Sequence, residues 1–203
     1  MAGPPSIHVT RTTTQLLDAL HDSGNEPVWL AIDARYRPVV TAMARRLGLT
    51  DTDADEVAQQ TLAEFVKAYG EGRYDRAKGR LSSWILGIAH HSIIRVLKRS
   101  KREDATTTSL GDLIDEPSLR SIWADERDRA ILAQALEVLR GASGVDDRTL
   151  LAFELTSLRG VPATEAAQQC DMTVDQIYVA KSRVVKRLRA LVEQLTEAFE
   201  ADE

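Results

Sequence analysis

The chain has a single cysteine and few aromatic residues, 5% of its 203 positions. Cys170 alone cannot form an internal disulfide, and it reads as a small buried hydrophobe in a reducing cytoplasm. No apolar run approaches the ~20 residues that span a bilayer. The opening Met-Ala-Gly-Pro-Pro-Ser lacks the charged and apolar regions of a signal peptide, so a cytoplasmic protein without a membrane partner is expected. No alternating strand pattern appears, and no glycine loop that could cradle a phosphate. His90 and His91 are adjacent, so a helix turns them about 100° apart and one face cannot offer both to a metal. No acidic or cysteine partner stands at ligand spacing. No enzyme, catalytic residue, cofactor or metal is therefore expected. Positive charge is also short, with 26 Lys and Arg against 31 Asp and Glu.

What is present suits helices: 43% hydrophobic and 28% charged residues, enough for one large or two small domains. The clearest pattern is Thr173 to Arg189. Thr173 and Gln176 stand at capping-box spacing, and Met172 and Ile177 at the two positions of a hydrophobic staple. Ile177, Ala180, Val184, Leu188, Leu191 and Leu195 then form one apolar stripe. Lys181, Arg183, Lys186, Arg187 and Arg189 occupy the rest of the circumference. Before it, Pro162 suits a helix start and Ala163 to Gln169 a short helix with small residues. Cys170-Asp171-Met172 makes a three-residue turn with Asp171 at the left-handed position. The unit reads as a helix-turn-helix, whose second helix lies in the major groove of DNA.

Further helices are expected at Thr14 to Asp22, Glu26 to Leu47 with a kink or break at Pro38, from Asp53 and Glu56 onward, and Ser82 to Ser100. In the third of these, Val57, Leu62, Phe65, Val66 and Tyr69 are expected to bury one side. Gly48 reads as a helix-ending glycine, and Gly70 to Gly79 as a polar connection. In the helix from Ser82, Leu86, Ala89, Ile93 and Leu97 face a core, while His91, Arg95, Lys98, Arg99 and Arg102 form a cationic ridge with Lys101 beside it. Glu103 to about Pro117 reads as an acidic linker. A second helical domain follows from Leu119, patterned by Ile131, Leu132, Ala135, Leu136 and Leu139, broken at Gly141 to Gly144 and resumed at Leu150 to Leu158. The fold class is all-α, two small helical domains joined by a flexible linker. With a net charge of −5, such a chain should bind free DNA weakly and need a partner to present its basic faces.

In this order the elements resemble an extracytoplasmic-function sigma factor of bacterial RNA polymerase. Asp53-Ala-Asp-Glu-Val-Ala-Gln-Gln-Thr-Leu resembles the family's region 2 helix that docks on the polymerase clamp. Gly79-Arg-Leu-Ser-Ser-Trp-Ile-Leu-Gly-Ile-Ala-His-His resembles the signature leading into the −10 reading helix. Val161 to Val174 resembles the region 4 helix-turn-helix that reads the −35 element. The resemblance implies an N-terminal extension with a short helix at 1–25, region 2 at 26–102, a linker at 103–118, region 4 at 119–195 and an acidic tail at 196–203. It implies core polymerase, through clamp helices and flap, and promoter DNA as partners. Asp53, Asp55, Glu56, Gln59 and Gln60 would dock on core. Tyr74, Arg80, Trp84, His91, Arg95, Lys98 and Arg99 would serve the −10 element. Trp84 reads as core ahead of base stacking. Asp175, Gln176, Tyr178, Lys181 and Ser182 would face the −35 groove, with Arg183, Lys186 and Arg187 on the backbone.

Departures from the family limit what carries over. His91 stands where Asn is common, Arg95 where Asp is common, and Gln169 and Asp171 where an apolar residue and Gly are usual. Tyr178-Val179-Ala180 replaces the frequent Lys-Ser-Arg. The −10 and −35 sequences therefore do not follow. Gly70 to Asp75 resembles sigma factors found beside serine/threonine kinases, which makes a kinase or an anti-sigma factor a further candidate partner. Thr-rich stretches at 12–14 and 106–108 could accept phosphate. The competing reading is a conventional helix-turn-helix regulator that binds DNA without polymerase.

Overall fold

The computed structural model describes residues 17, 19, 20, 26–103, 115–141 and 145–200, without the side chains of 100–103 and 200. The expected segment before Leu17, most of the acidic linker, both Thr-rich stretches, the glycine break at 142–144 and the end of the acidic tail lie outside the described residues. So do the side chains of Lys101 and Arg102.

Among the described residues the protein is all-α, with seven helices and no strand. They are α1 (Glu26–Arg46), α2 (Asp51–Gly70), α3 (Leu81–Glu103), α4 (Glu116–Gly141), α5 (Asp147–Phe153), α6 (Ala163–Cys170) and α7 (Val174–Glu200). Local chemistry sets their ends. Pro38 lies inside α1 without ending it. Tyr36, Val39 and Val40 beside it are fully buried, and their packing outweighs the roughly 3 kcal/mol that an interior proline costs. Gly48, at φ 94°, takes the left-handed turn after α1. α2 starts two residues ahead of the expected Asp53, because Thr50 accepts from the Asp53 amide (3.2 Å) and donates to its carboxylate (2.8 Å). α4 starts ahead of Leu119, where the Asp115 carboxylate accepts from the Ser118 amide (3.1 Å) and Pro117 sits in the first turn. α5 also starts early, capped by Asp146 on Thr149, and it ends in a π-helical turn, Glu154–Leu158. The polar connection before α3 holds a 3₁₀ turn, Arg76–Lys78, capped by Asp75.

Contacts divide the chain into two units. Ile131–Thr196 forms one; the other takes the helices up to Ala130 together with the chain from Glu197. The division falls inside α4 and inside α7.

The first unit packs α1, α2 and α3 around Ile32, Tyr36, Met43, Phe65, Ile85 and Ile93, each nearly or fully buried. On α3 the buried line is Leu81, Ile85, Ala89, Ser92, Ile93 and Val96; Leu86 and Leu97, expected in the core, are only half-buried. Val66, expected to be buried, is 40% exposed beside an exposed Leu30. The start of α4 joins this core through Trp123, whose ring stacks with Tyr36 at 6.4 Å, and through the buried Glu126, which accepts from Arg46 and Arg129. The last turn of α7 joins it too. Arg35, 4% exposed, donates to the Ala198 carbonyl (2.8 Å) and sits 5.2 Å from the centre of the Phe199 ring.

The second unit has two small cores. Ala152, Leu155, Ala166, Ala167, Cys170, Ile177 and Ala180 form one, with Met172 packed against it. Leu139, Phe153 and Val184 form the other, with Leu188 and Leu191 at its edge. Leu132, expected in this packing, is 46% exposed.

Candidate nucleic-acid interface

In the second unit, α6 and α7 meet at a turn made of Asp171, Met172 and Thr173. Asp171 adopts the left-handed conformation (φ 50°, ψ 52°), among the described residues the only non-glycine to do so. An L side chain in that region is strained, and Arg148 of α5 compensates. Its guanidinium donates to the carbonyls of Cys170 (3.0 Å) and Asp171 and to the Asp171 carboxylate (3.2 Å). Below the turn, burial pushes the Cys170 thiol above its ordinary pKa, with the Arg148 charge a smaller opposing effect. The capping box is formed as the residue types require: the Thr173 amide donates to the Gln176 side chain (2.8 Å), and the Gln176 amide to the Thr173 hydroxyl (3.2 Å).

With Ile177, Ala180 and Val184 buried, α7 turns the opposite side outward. Asp175, Gln176, Tyr178, Ser182, Arg183, Lys186 and Arg187 are exposed; Lys181 is half-buried at the flank. Tyr178, Lys181, Ser182, Val185, Lys186 and Arg189 line one shallow concavity. Among the described residues, Lys181, Arg183, Lys186, Arg187 and Arg189 have no ion-pair partner. Val179 carries no charge to mark it, yet it is 50% exposed on this face. Arg148 leaves no local signal in the sequence, because its contacts join residues 22 and 23 positions apart.

In the first unit the aromatic residues gather at the start of α3. Trp84 stacks on Tyr74 at 5.1 Å between centroids and meets Phe65 edge-on at 5.7 Å; both Trp84 and Tyr74 stay half-exposed. The Tyr74 hydroxyl donates to the Gly79 carbonyl (3.3 Å). Arg73, Lys78, Arg80 and Ser83 surround these two rings in one concavity. Along α3, Trp84, Ile88, His91, Arg95 and Lys98 succeed one another by four, three, four and three residues, so they share a face. From Trp84 to Lys98 this face runs about 21 Å at 1.5 Å per residue. The His91 ring nitrogen lies 2.6 Å from the Gly87 carbonyl, and His91, Arg95 and Lys98 are exposed.

Arg99 differs from its neighbours. Its guanidinium lies 3.6 Å from Asp53 and 3.5 Å from Glu56 of α2, so acid does reach the ridge, from another helix. Glu56 also accepts from Gln60 (2.7 Å), and Asp55 lies 4.0 Å from Arg45. Gln59 and Asp55 are exposed; Asp53, Glu56 and Gln60 are half-buried. Two of the acids expected to dock on a partner, Asp53 and Glu56, thus share a network with one cation of the ridge, while Asp55 stands apart beside Arg45. Among the described residues, no group of His, Cys, Asp or Glu is placed to hold a metal ion, and no helix is long and apolar enough to cross a membrane.

One chain thus holds a helix-turn-helix whose outer cations have no ion-pair partner among the described residues and a helical unit with an aromatic and cationic face. Residues 32–103, the α1–α3 bundle, match the Sigma-70 region 2 family. That match supports a sigma factor role in promoter recognition with RNA polymerase. Comparison with curated proteins gives no match.

Proposed function

We propose that the chain is an extracytoplasmic-function sigma factor that docks on core polymerase, captures the −10 element with 26–102 and reads the −35 element with 119–195, the two joined by the linker 103–118. The observation that carries this reading is that a chain of net charge −5 holds both an aromatic and cationic face on α3 and a cationic outward face on α7.

On the first surface, the Tyr74–Trp84 stack offers a π-face to an unstacked base. Arg80, His91, Arg95 and Lys98 would hold the phosphates that follow along about 21 Å of α3. Capturing the base offsets the few kcal/mol that unstacking costs. On the second surface, Asp175, Gln176, Tyr178, Lys181 and Ser182 meet the major groove, and Arg183, Lys186 and Arg187 hold the backbone. Asp53, Asp55, Glu56, Gln59 and Gln60 dock on core, and Arg99 joins the −10 group from its place beside Asp53 and Glu56. An excess of acid keeps the free chain off DNA, so polymerase supplies the missing affinity. The kinase-associated subgroup is the nearest affiliation, with an anti-sigma factor or a serine/threonine kinase as a regulating partner and the cytoplasm as the site of action.

Transcription reconstituted with core polymerase and a promoter library tests the proposal. Promoter-specific starts that need both polymerase and this chain are the expected result. Shift of duplex DNA by the chain alone, without specific initiation, would replace the reading by that of a conventional helix-turn-helix regulator. Within the assay, Lys181→Ala should lower −35-dependent initiation about tenfold, the effect of one ~1.4 kcal/mol contact, and leave core binding intact. Equal loss of core binding would remove Lys181 from the DNA-reading set.

A further inference from the structure

Val179 is an anomaly on α7. It is 50% exposed, and the residues three and four positions away, Asp175, Gln176, Ser182 and Arg183, are all polar, so no neighbour on its own helix covers it. A β-branched residue also has poor helix propensity, so at this site valine costs the free protein stability relative to alanine. Asp175, Val179, Ser182 and Lys186 succeed one another by four, three and four residues along the middle of the outward face. Tyr178, Lys181 and Arg189 flank that line on one side, and Arg183 and Arg187 on the other. Val179 is the sixth residue beyond the Thr173 cap, in the N-terminal part of the helix that reaches base edges in helix-turn-helix proteins.

We infer that Val179 is a specificity-determining residue, which selects a thymine in the −35 element by packing against its 5-methyl group. The inference rests on the proposed reading of α7 as the −35 helix. The major groove presents hydrogen-bonding groups at every base pair, and the thymine methyl is its one apolar feature. An apolar side chain with Lys181 and Arg189 on one side of its line and Arg183 and Arg187 on the other has that one complement. The flanking charges fix the helix between the phosphate rows, and Val179 then meets a base rather than the backbone.

The experiment uses holoenzyme, the full chain with core polymerase, and a duplex promoter library randomised across the −35 segment. Wild type should select a thymine, on either strand, at one position. Replacing it by deoxyuridine, which removes only the methyl, should lower initiation about fourfold, the effect of one buried methyl-sized group. Val179→Ala should lose the same factor on the thymine promoter and become indifferent to deoxyuridine, with preferences elsewhere unchanged. Alanine is the better helix former, so failure to fold will not mimic this result. Absence of a selected thymine, or an undiminished deoxyuridine effect in Val179→Ala, overturns the inference while leaving the −35 reading intact. If wild type initiates without any −35 preference, the reading of α7 falls, and the inference with it.

Discussion

At the scale of single residues, burial and neighbouring charge do more than residue type. His90 is half-buried on α3, and burial first, then the charge of His91, push its pKa below the ordinary 6.5. Ser83, Leu86, Gly87, Leu119 and an Arg120–Glu116 ion pair surround it. A histidine whose folded pKa is depressed contributes stability above the unfolded value of 6.5, and loses it as pH falls through the folded value. Thermal stability should therefore decline as pH falls below about 6.5, and His90→Gln should flatten that decline. An unchanged slope in His90→Gln would assign the decline to other groups. The sequence shows His90 and His91 only as adjacent; the difference in their surroundings comes from packing, which adjacency does not report.

At the scale of elements, the helix-turn-helix was legible because its signals are local. The capping box spans three residues, the left-handed Asp171 follows α6 directly, and the apolar stripe of α7 repeats within single turns. α2, α4 and α5 start ahead of their periodic segments, because Thr50, Asp115 and Asp146 cap from outside those segments. The Arg148 clamp could not be read from any local pattern. It ties the turn to α5, and it predicts an interdependence of two positions. Arg148→Ala should destabilise the second unit by about 1 kcal/mol, a charge-assisted hydrogen bond discounted for its half-exposed side chain. Asp171→Gly relieves the left-handed strain and should restore most of that loss in the double variant. Denaturation monitored in the four variants of this cycle gives the coupling. Simple additivity would show that the two residues act separately.

At the scale of the whole molecule, the pattern of charge and helices announced the all-α class, but long-range contacts decide which helices share a core. Arg46 meets Asp125 and Glu126 across 79 and 80 residues, and Arg35 meets Ala198 across 163. No periodicity marks such pairs, and the exposed Val66 and Leu132 show the same limit, since a stripe does not say how wide its buried face is. Phe199 is the most consequential of the distant contacts, 4% exposed and edge-on to Tyr36 at 5.6 Å. Phe199→Ala should cost the α1–α3 unit about 3 kcal/mol, read as a lowered unfolding midpoint in denaturant. A midpoint within error of wild type would mean that the last turn of α7 adds nothing to that core.

The discontinuous make-up of that unit has a consequence for synthesis on the ribosome. A unit encoded in one continuous stretch can fold as soon as its last residue emerges. Here the stretch Ile131–Thr196 is translated between the two parts of the first unit. At about 5–20 residues per second, the ribosome takes several seconds to pass from Ala130 to Phe199. During that interval the nascent bundle has Trp123 against Tyr36 but lacks the Phe199 ring that meets Tyr36 edge-on. The chain that emerges first is thus completed last, and the helix-turn-helix can form while the bundle still lacks its final turn.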